Sequence, residues 1–236
     1  MGRATTIQLA PGVWRVPLLG DWVNGFILRD EDGQVTLLDM GTKSHGEKVL
    51  RALASIGSGP SDVTRLLLTH AHPDHAGGTA RVAGATGRGV GVHTDDAEYV
   101  RRGESPPRDE ASRLGRLLQT LRIGTRFPTV PVDQELHDGD LLPVAGGLRV
   151  VHTPGHSPGH ASYLHEPTGV LVTGDALFNF RRISWPVKAF CTDFRMTQQT
   201  AHRLAELDYS MAAFTHGPEL REGAREQIRG FLSRRR

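Results

Sequence analysis

The chain is expected to fold as an α/β (α+β) protein in which two mixed β-sheets lie face to face with helices outside them. Three observations predict this. Strand-like apolar segments and helix-period segments follow one another as strands, helix, strands, helix in each half of the 236 residues. Turn dipeptides such as Asp32-Gly33 and Asp138-Gly139 punctuate both halves at hairpin spacing. Five histidines and two aspartates stand where predicted strands end, the edge at which open α/β sheets hold ligands.

With 38% hydrophobic residues the chain can bury one substantial core, and no repeat or long linker divides it, so residues 1–236 read as a single domain. Net charge is +2 and the pI about 9.0. Only three of the 28 basic residues are Lys, and the Arg are scattered, which argues against a nucleic-acid surface. Arg234-Arg235-Arg236 reads as a solvated end. Pro11, Pro17 and the charges at Arg3, Arg15, Asp21 and Arg29 break any early apolar run, so neither signal peptide nor membrane span is expected. Cys191 is single and no intrachain disulfide can form. The expectation is a cytoplasmic protein with no membrane or nucleic-acid partner and its oligomeric state open.

In chain order, residues 7–9, 13–16, 23–28 and 35–38 alternate as an antiparallel start, turned by Pro11-Gly12 and Asp32-Gly33. Trp22 falls in the loop 18–22, where it either overhangs a site or packs on the sheet rim. Ser44 and Glu47 form a Ser-x-x-Glu capping pattern ahead of the stripe Val49, Leu50, Leu53 and Ile56, and Gly57 ends that helix. Residues 63–69 and 89–93 read as strands, with Thr94 capping a helix through Val100. Residues 103–130 read as a helical insertion packed over the fold, on Ala111, Leu114, Leu117, Leu118 and Leu121. Strand, turn, strand then recurs at Leu136, 141–144, 148–152, 161–164 and 170–173, as in a second antiparallel sheet. A helix after Thr197, a strand at 211–215 and a helix carrying Leu220, Ala224, Ile228 and Leu232 complete the chain.

The stretch Thr69-His70-Ala71-His72-Pro73-Asp74-His75 follows the apolar run 66–68. Three imidazoles and a carboxylate in six residues cannot share one helix face, and Pro73 removes a backbone donor, so the stretch reads as a loop at a strand end. Neutral nitrogen and anionic oxygen are the donors of zinc and other borderline divalent metals. His156, Asp175 and His216 stand at three further strand ends, each beside a glycine that lets the backbone turn and leaves room for an ion. Seven such ligands exceed what one catalytic ion takes, whereas two ions sharing a carboxylate fit the count. Cys191 reads as a plain buried thiol, and His45, His93, His137, His165 and His202 as surface or strand-edge residues.

The ordered set His70-x-His72-x-Asp74-His75, His156, Asp175 and His216 resembles the metallo-β-lactamase superfamily, as do Leu38-Asp39-Met40-Gly41 and the Thr-Pro-Gly-His-Ser-Pro-Gly-His run at 153–160. The resemblance covers nearly the whole chain. It implies an αββα sandwich with the site on one edge. It implies that His70, His72 and His156 hold one ion, that Asp74, His75 and His216 hold the other, and that Asp175 bridges. Asp74 would also orient the hydroxide and manage its proton. Asp39 would hydrogen-bond a ligand imidazole, and His160 would support the ligands from behind. Two divalent ions are implied, zinc first, with iron or manganese open because every donor is nitrogen or oxygen.

The implied activity is hydrolysis of a small-molecule ester, thioester or lactone by a bridging hydroxide. Departures narrow it: 20 residues follow His216, too few for the helical domain of the glutathione-thioesterase branch. Phe178 stands where acyl-homoserine lactonases carry Tyr. Export signals of the secreted β-lactamases and the added domains of the nuclease branches are not read either. The alternatives are a mononuclear iron sulfur dioxygenase on the same frame, separable by metal content and oxygen uptake, and a non-catalytic metal-binding module. For the substrate, Arg181 and Arg182 are expected to anchor an acidic group, opposite an apolar wall of Trp22, Phe26 and the helix at 111–122, with Phe178 beside the metals.

Overall fold

The computed structural model describes residues 6–234; Arg3, Arg235 and Arg236 lie outside them. The elements are β1 (Ile7–Ala10), β2 (Val13–Pro17), β3 (Asn24–Arg29), β4 (Val35–Leu38), α1 (Gly46–Ser55), β5 (Val63–Leu67), α2 (Pro73–Ala76), α3 (Thr79–Thr86), β6 (Val90–His93), α4 (Thr94–Arg102), α5 (Arg113–Thr120), β7 (Val132–Leu136), β8 (Leu141–Leu142), β9 (Leu148–His152), β10 (Ala161–His165), β11 (Val170–Val172), β12 (Phe178–Asn179), β13 (Ile183–Ser184), α6 (Phe194–Thr200), β14 (Met211–Ala213) and α7 (Ala224–Ser233). Seven strands, β1 to β7 in order, form one sheet, antiparallel through β4 and parallel from β4 to β7. The second sheet runs β14-β11-β10-β9-β8, antiparallel except for the β11–β14 pair.

Side-chain alternation along the strands builds four layers, helices, sheet, sheet, helices. In β3 to β5, Phe26, Leu28, Leu38 and Leu67 point inward and meet Leu148, Val150, Tyr163 and Val172 of the second sheet. Their neighbours Ile27, Leu37 and Leu66 point outward, where Val49, Leu53, Val82, Ala97 and Val100 of α1, α3 and α4 cover them. The far face of the second sheet, with Leu164, Leu171, Ala212 and Phe214, is closed by Leu204 and by Ala224, Ile228 and Leu232 of α7.

Five local expectations are corrected. Leu136 belongs to β7 at the parallel edge of the first sheet and not to the second sheet. The Ser44–Glu47 capping pair does not form: α1 starts at Gly46, Ser44 Oγ contacts Thr42 Oγ1 and Glu47 pairs with Arg81. Of the leucines expected to mark the helix at 111–122, only Leu118 is half-buried. Leu114, Leu117 and Leu121 are each more than half exposed, and Gly115 is the buried residue of that helix. Phe26 lies in the inter-sheet core and is no part of a pocket wall. His93 and His165 are buried, the latter between Ala145 O and Thr168 Oγ1.

Candidate metal centre

β5 delivers its chain into the loop at 68–72, and Pro73 then opens α2 at the position where its missing N–H costs nothing, so Asp74 and His75 ride on one helical turn rather than on loop. The second sheet supplies the rest: His156 after β9, Asp175 after β11 and His216 after β14. Two hydrogen bonds pin the sheets together beside the loop, Ala161 N to Thr69 O at 2.9 Å and the Tyr163 hydroxyl to Leu68 O at 2.8 Å. The His216 turn is fixed from the first sheet by Asn24, whose backbone N–H donates to Thr215 O and whose Nδ2 donates to Phe214 O and Gly217 O. Buried Arg15 donates in turn to Asn24, Asp21 and Glu219.

All seven expected ligands meet. His72 Nδ1 lies 2.9 Å from His70 Nε2 and 2.9 Å from His156 Nε2. His75 Nε2 and His216 Nε2 lie 3.7 and 3.4 Å from Asp74 Oδ2. Asp175 stands between the two groups, with Oδ2 3.1 Å from His156 and Oδ1 3.4 Å from both His75 and His216. Ligand atoms of the sets His70/His72/His156 and Asp74/His75/His216 each lie within 4.8 Å of one another. Nitrogens around one ion at bonds of about 2.0–2.1 Å are spaced in this way. The donor set fits divalent cations, and His75 Nε2, buried without a hydrogen-bond partner among the described residues, is an orphan that a cation would satisfy.

Electrostatics match that reading. Burial lowers the pKa of His70 and His72 far below the usual imidazole value, and their imidazole neighbours add to it. Burial also opposes charge on His75, His156 and His216, but the carboxylates, Asp175 foremost, outweigh it, raising His75 well above its usual value, His156 to about 10 and His216 to about 9. Burial would raise Asp175, yet His216, His75 and His156 hold it well below the carboxylate range.

The far nitrogens of four ligand rings are engaged, which sets ring orientation. His75 Nδ1 lies 2.8 Å from Asp39 Oδ2, while Asp39 also accepts from Thr69 N and Oγ1 at 2.8 and 2.7 Å. Asp39 holds φ 56°, a left-handed turn that Asp tolerates better than most residues, at the end of β4. His70 Nδ1 meets Thr69 Oγ1 at 3.0 Å, and His216 Nδ1 meets the Trp22 carbonyl. His160 Nε2 accepts from Asp175 N at 2.7 Å, and burial followed by His156 pushes its pKa down to about 3. The space beside Gly174, φ 54°, is therefore filled by the His160 ring and not by an ion, since a Cβ there would lie 2.5 Å from His160 Nε2.

Sequence reasoning missed three supports. Cys191 Sγ lies 3.5 Å from His156 Nδ1. Buried Asp96 accepts from Ala71 N, Ser157 Oγ and Gly159 N at 2.6–2.8 Å, tying the two ligand loops together. Arg108 lines the cavity over the site. That cavity, about 580 Å³, has His72, Asp74, His156, Asp175 and His216 on its floor and Trp22, Phe178, Phe180, Val187, Phe190 and Ile123 among its walls. Trp22 is 65% exposed and packs against Phe180, ring centroids 4.5 Å apart and planes tilted by 43°, and Phe178 stands 4.4 Å from the His216 ring. Arg181 and Arg182 are exposed and are not among the lining residues, so the expected anchor pair is corrected.

A four-layer αββα sandwich with a His/Asp cluster at one edge defines a metallo-hydrolase. The sequence profile of the metallo-beta-lactamase superfamily matches residues 21–216, and the chain belongs to that superfamily. It is 24% identical over 200 residues to the probable metallo-hydrolase YybB of Bacillus subtilis, covering 84% of this chain and 82% of that one. It is 26% identical over 164 residues to the hydroxyacylglutathione hydrolase GloC of Haemophilus influenzae, covering 69% and 70%. Among solved structures, the metallo-beta-lactamase family protein TTHA1429 of Thermus thermophilus superposes with a TM-score of 0.73 at 29% identity, over 96% of this chain and 80% of that one.

Proposed function

We propose that the chain holds two divalent cations, zinc by first choice of donors, and hydrolyses a small-molecule ester, thioester or lactone. The observation that carries this is the Asp175 carboxylate, whose two oxygens face two separate imidazole groups beneath an apolar cavity. His70, His72 and His156 would hold one ion, Asp74, His75 and His216 the other, with Asp175 shared. Bound there, the pair supplies Lewis acidity and a hydroxide nucleophile near neutral pH.

The chain's own groups do the rest. Asp74, its side chain 40% exposed at the cavity floor, is held ionised because His75 and His216 outweigh the effect of burial. It accepts the proton of the attacking water and returns it to the departing oxygen or sulfur. Asp39 and Cys191 keep the far nitrogens of His75 and His156 occupied, leaving each Nε2 for metal. Phe178, Phe180 and Trp22 receive an apolar acyl or alcohol portion and exclude water. The GloC relative supports retaining thioesters, so the short segment after His216 does not set that class aside. Among the described residues no helix is long and apolar enough to cross a membrane, and the unpaired buried Cys191 suits a reducing cytoplasm.

The test is elemental analysis of gently purified protein with a panel of ester, thioester and lactone substrates. Two ions per chain and hydrolysis abolished by chelation and restored by zinc are expected. One tightly bound iron with oxygen uptake would overturn the reading in favour of dioxygenation.

A further inference from the structure

We propose that Arg108 is the carboxylate anchor of the cavity, so that the substrate is a monoanionic, amphipathic acyl compound with its carboxylate at some distance from the scissile bond. The proposal rests on the hydrolase reading for the bond that is cleaved, and on Arg108 alone for the anion. Arg108 is 8% exposed and borders the cavity together with Phe190, Ile123 and Gly124. Its guanidinium carbon lies 5.1 Å over the Phe190 ring, and Nη2 donates to Ile123 O at 2.6 Å. Nη1 is buried with no hydrogen-bond partner among the described residues.

A buried guanidinium is ordinarily matched by a carboxylate, because an unpaired charge out of water is costly. The acidic residues beside it in sequence, Asp109 and Glu110, do not play that part. Asp109 uses its carboxylate on Phe194 N and Ala111 N, and Glu110 contributes its carbonyl to Arg116. Burial alone depresses the Arg108 pKa, with no charged neighbour contributing. The fork is also fixed in advance. Asp109 N donates to Cys191 O at 2.7 Å and Thr192 Oγ1 donates to Pro107 O at 2.7 Å, which stitches the backbone on both sides of Arg108 to the segment that backs His156. A held guanidinium with Nη1 unspent loses little freedom on taking a carboxylate oxygen. Carboxylate is favoured over phosphate because Arg108 is the single Lys or Arg among the cavity's lining residues, enough to neutralise one negative charge.

The binding test uses the metal-loaded protein and isothermal titration with 4-phenylbutyrate and its neutral analogue 4-phenylbutanamide. Wild type should bind the carboxylate roughly 10- to 100-fold more tightly, the span of a charge-assisted hydrogen bond. Arg108→Gln should erase that gap, Arg108→Lys should keep part of it, and Arg181→Gln/Arg182→Gln should keep all of it. Equal affinities in wild type, which need no variant to fold, would overturn the proposal. So would a gap that survives in folded Arg108→Gln, since the carboxylate would then sit on the metals. A kinetic arm compares the mono-p-nitrophenyl ester of suberic acid with its methyl-capped form, and Arg108→Gln should lower the ratio of kcat/KM values through KM. If neither ester turns over while the binding gap still depends on Arg108, the hydrolase reading fails and the anchor stands. If both turn over equally in wild type and the gap is absent, the anchor fails and the hydrolase stands.

Discussion

Asp39→Asn tests the support of His75 at single-proton resolution. In the native site Oδ1 accepts from Thr69 N at 2.8 Å, while Oδ2 faces Thr69 Oγ1 at 2.7 Å and His75 Nδ1 at 2.8 Å. A carboxylate can only accept, so His75, when neutral and ligating, must keep its proton on Nδ1 and offer a bare Nε2 to the ion. In the variant the amide oxygen keeps the Thr69 backbone bond and the NH2 group turns to His75. The imidazole then takes the other tautomer, and its Nε2 proton occupies the lone pair that a metal needs. Relative to the native site, the variant that ligates metal forgoes the hydrogen bond from His75 Nδ1 to a charged carboxylate, about 1.5–3 kcal/mol. That corresponds to roughly 10- to 100-fold in affinity, the range usual for a partner behind a metal ligand. Competition with a graded series of chelators should show this loss at the ion of the Asp74/His75/His216 group and less than about threefold change at the other. An equal loss at both sites, or none at either in a protein that melts normally, would refute the tautomer argument.

Asp175→Asn should be more damaging than Asp39→Asn, leaving about one ion per chain and little turnover, as read by elemental analysis; Asp39→Asn proving the worse would reverse the two roles. Metal uptake should release protons. His156 at about 10, His216 at about 9 and the raised His75 are charged at neutral pH without metal and must be neutral to ligate, so affinity should climb with pH. Titration calorimetry in buffers of different ionisation enthalpy should count about three protons at pH 7, and a buffer-independent heat would refute it. For the same reason the metal-free protein should lose stability as pH rises through about 9, where His216 gives up its proton, and again on acidification, as Asp175 is protonated below the usual carboxylate value. Asp96→Ala strands three buried donors and should cost about 3 kcal/mol or more in urea unfolding; a loss under about 1 kcal/mol would show the two loops to be held by other contacts.

Apolar runs bounded by turn residues made β1 to β5 and β9 to β11 legible, since strands buried on both faces, such as β3, β4 and β11, read as continuous apolar segments. β7 was not, since Asp133, Gln134 and Glu135 sit on a sheet edge that needs no apolar face. The ligands were legible because His and Asp seldom gather at strand ends without a reason. Asp39 and His160 were legible behind them through the family pattern, but two further supports were not: Asp96 is one acid in a helix's first turn, 25 residues from Ala71, and Cys191 is 35 residues from His156. Arginines at 181 and 182 and one at 108 look alike in sequence. Burial alone separates them, and burial of a loop residue depends on contacts that local pattern does not encode.

The seven proposed ligands come from both sheets, four from the turn after β5 and three from the ends of β9, β11 and β14. An ion seated among them therefore opposes any fluctuation that parts one sheet from the other, and at a hundredfold excess over its dissociation constant adds about 2.7 kcal/mol to the folded state. Proteases in the cell attack the opened form, so the half-life of this protein should lengthen and shorten with the supply of its metal. Abundance would then report nutrition before any change in gene expression did.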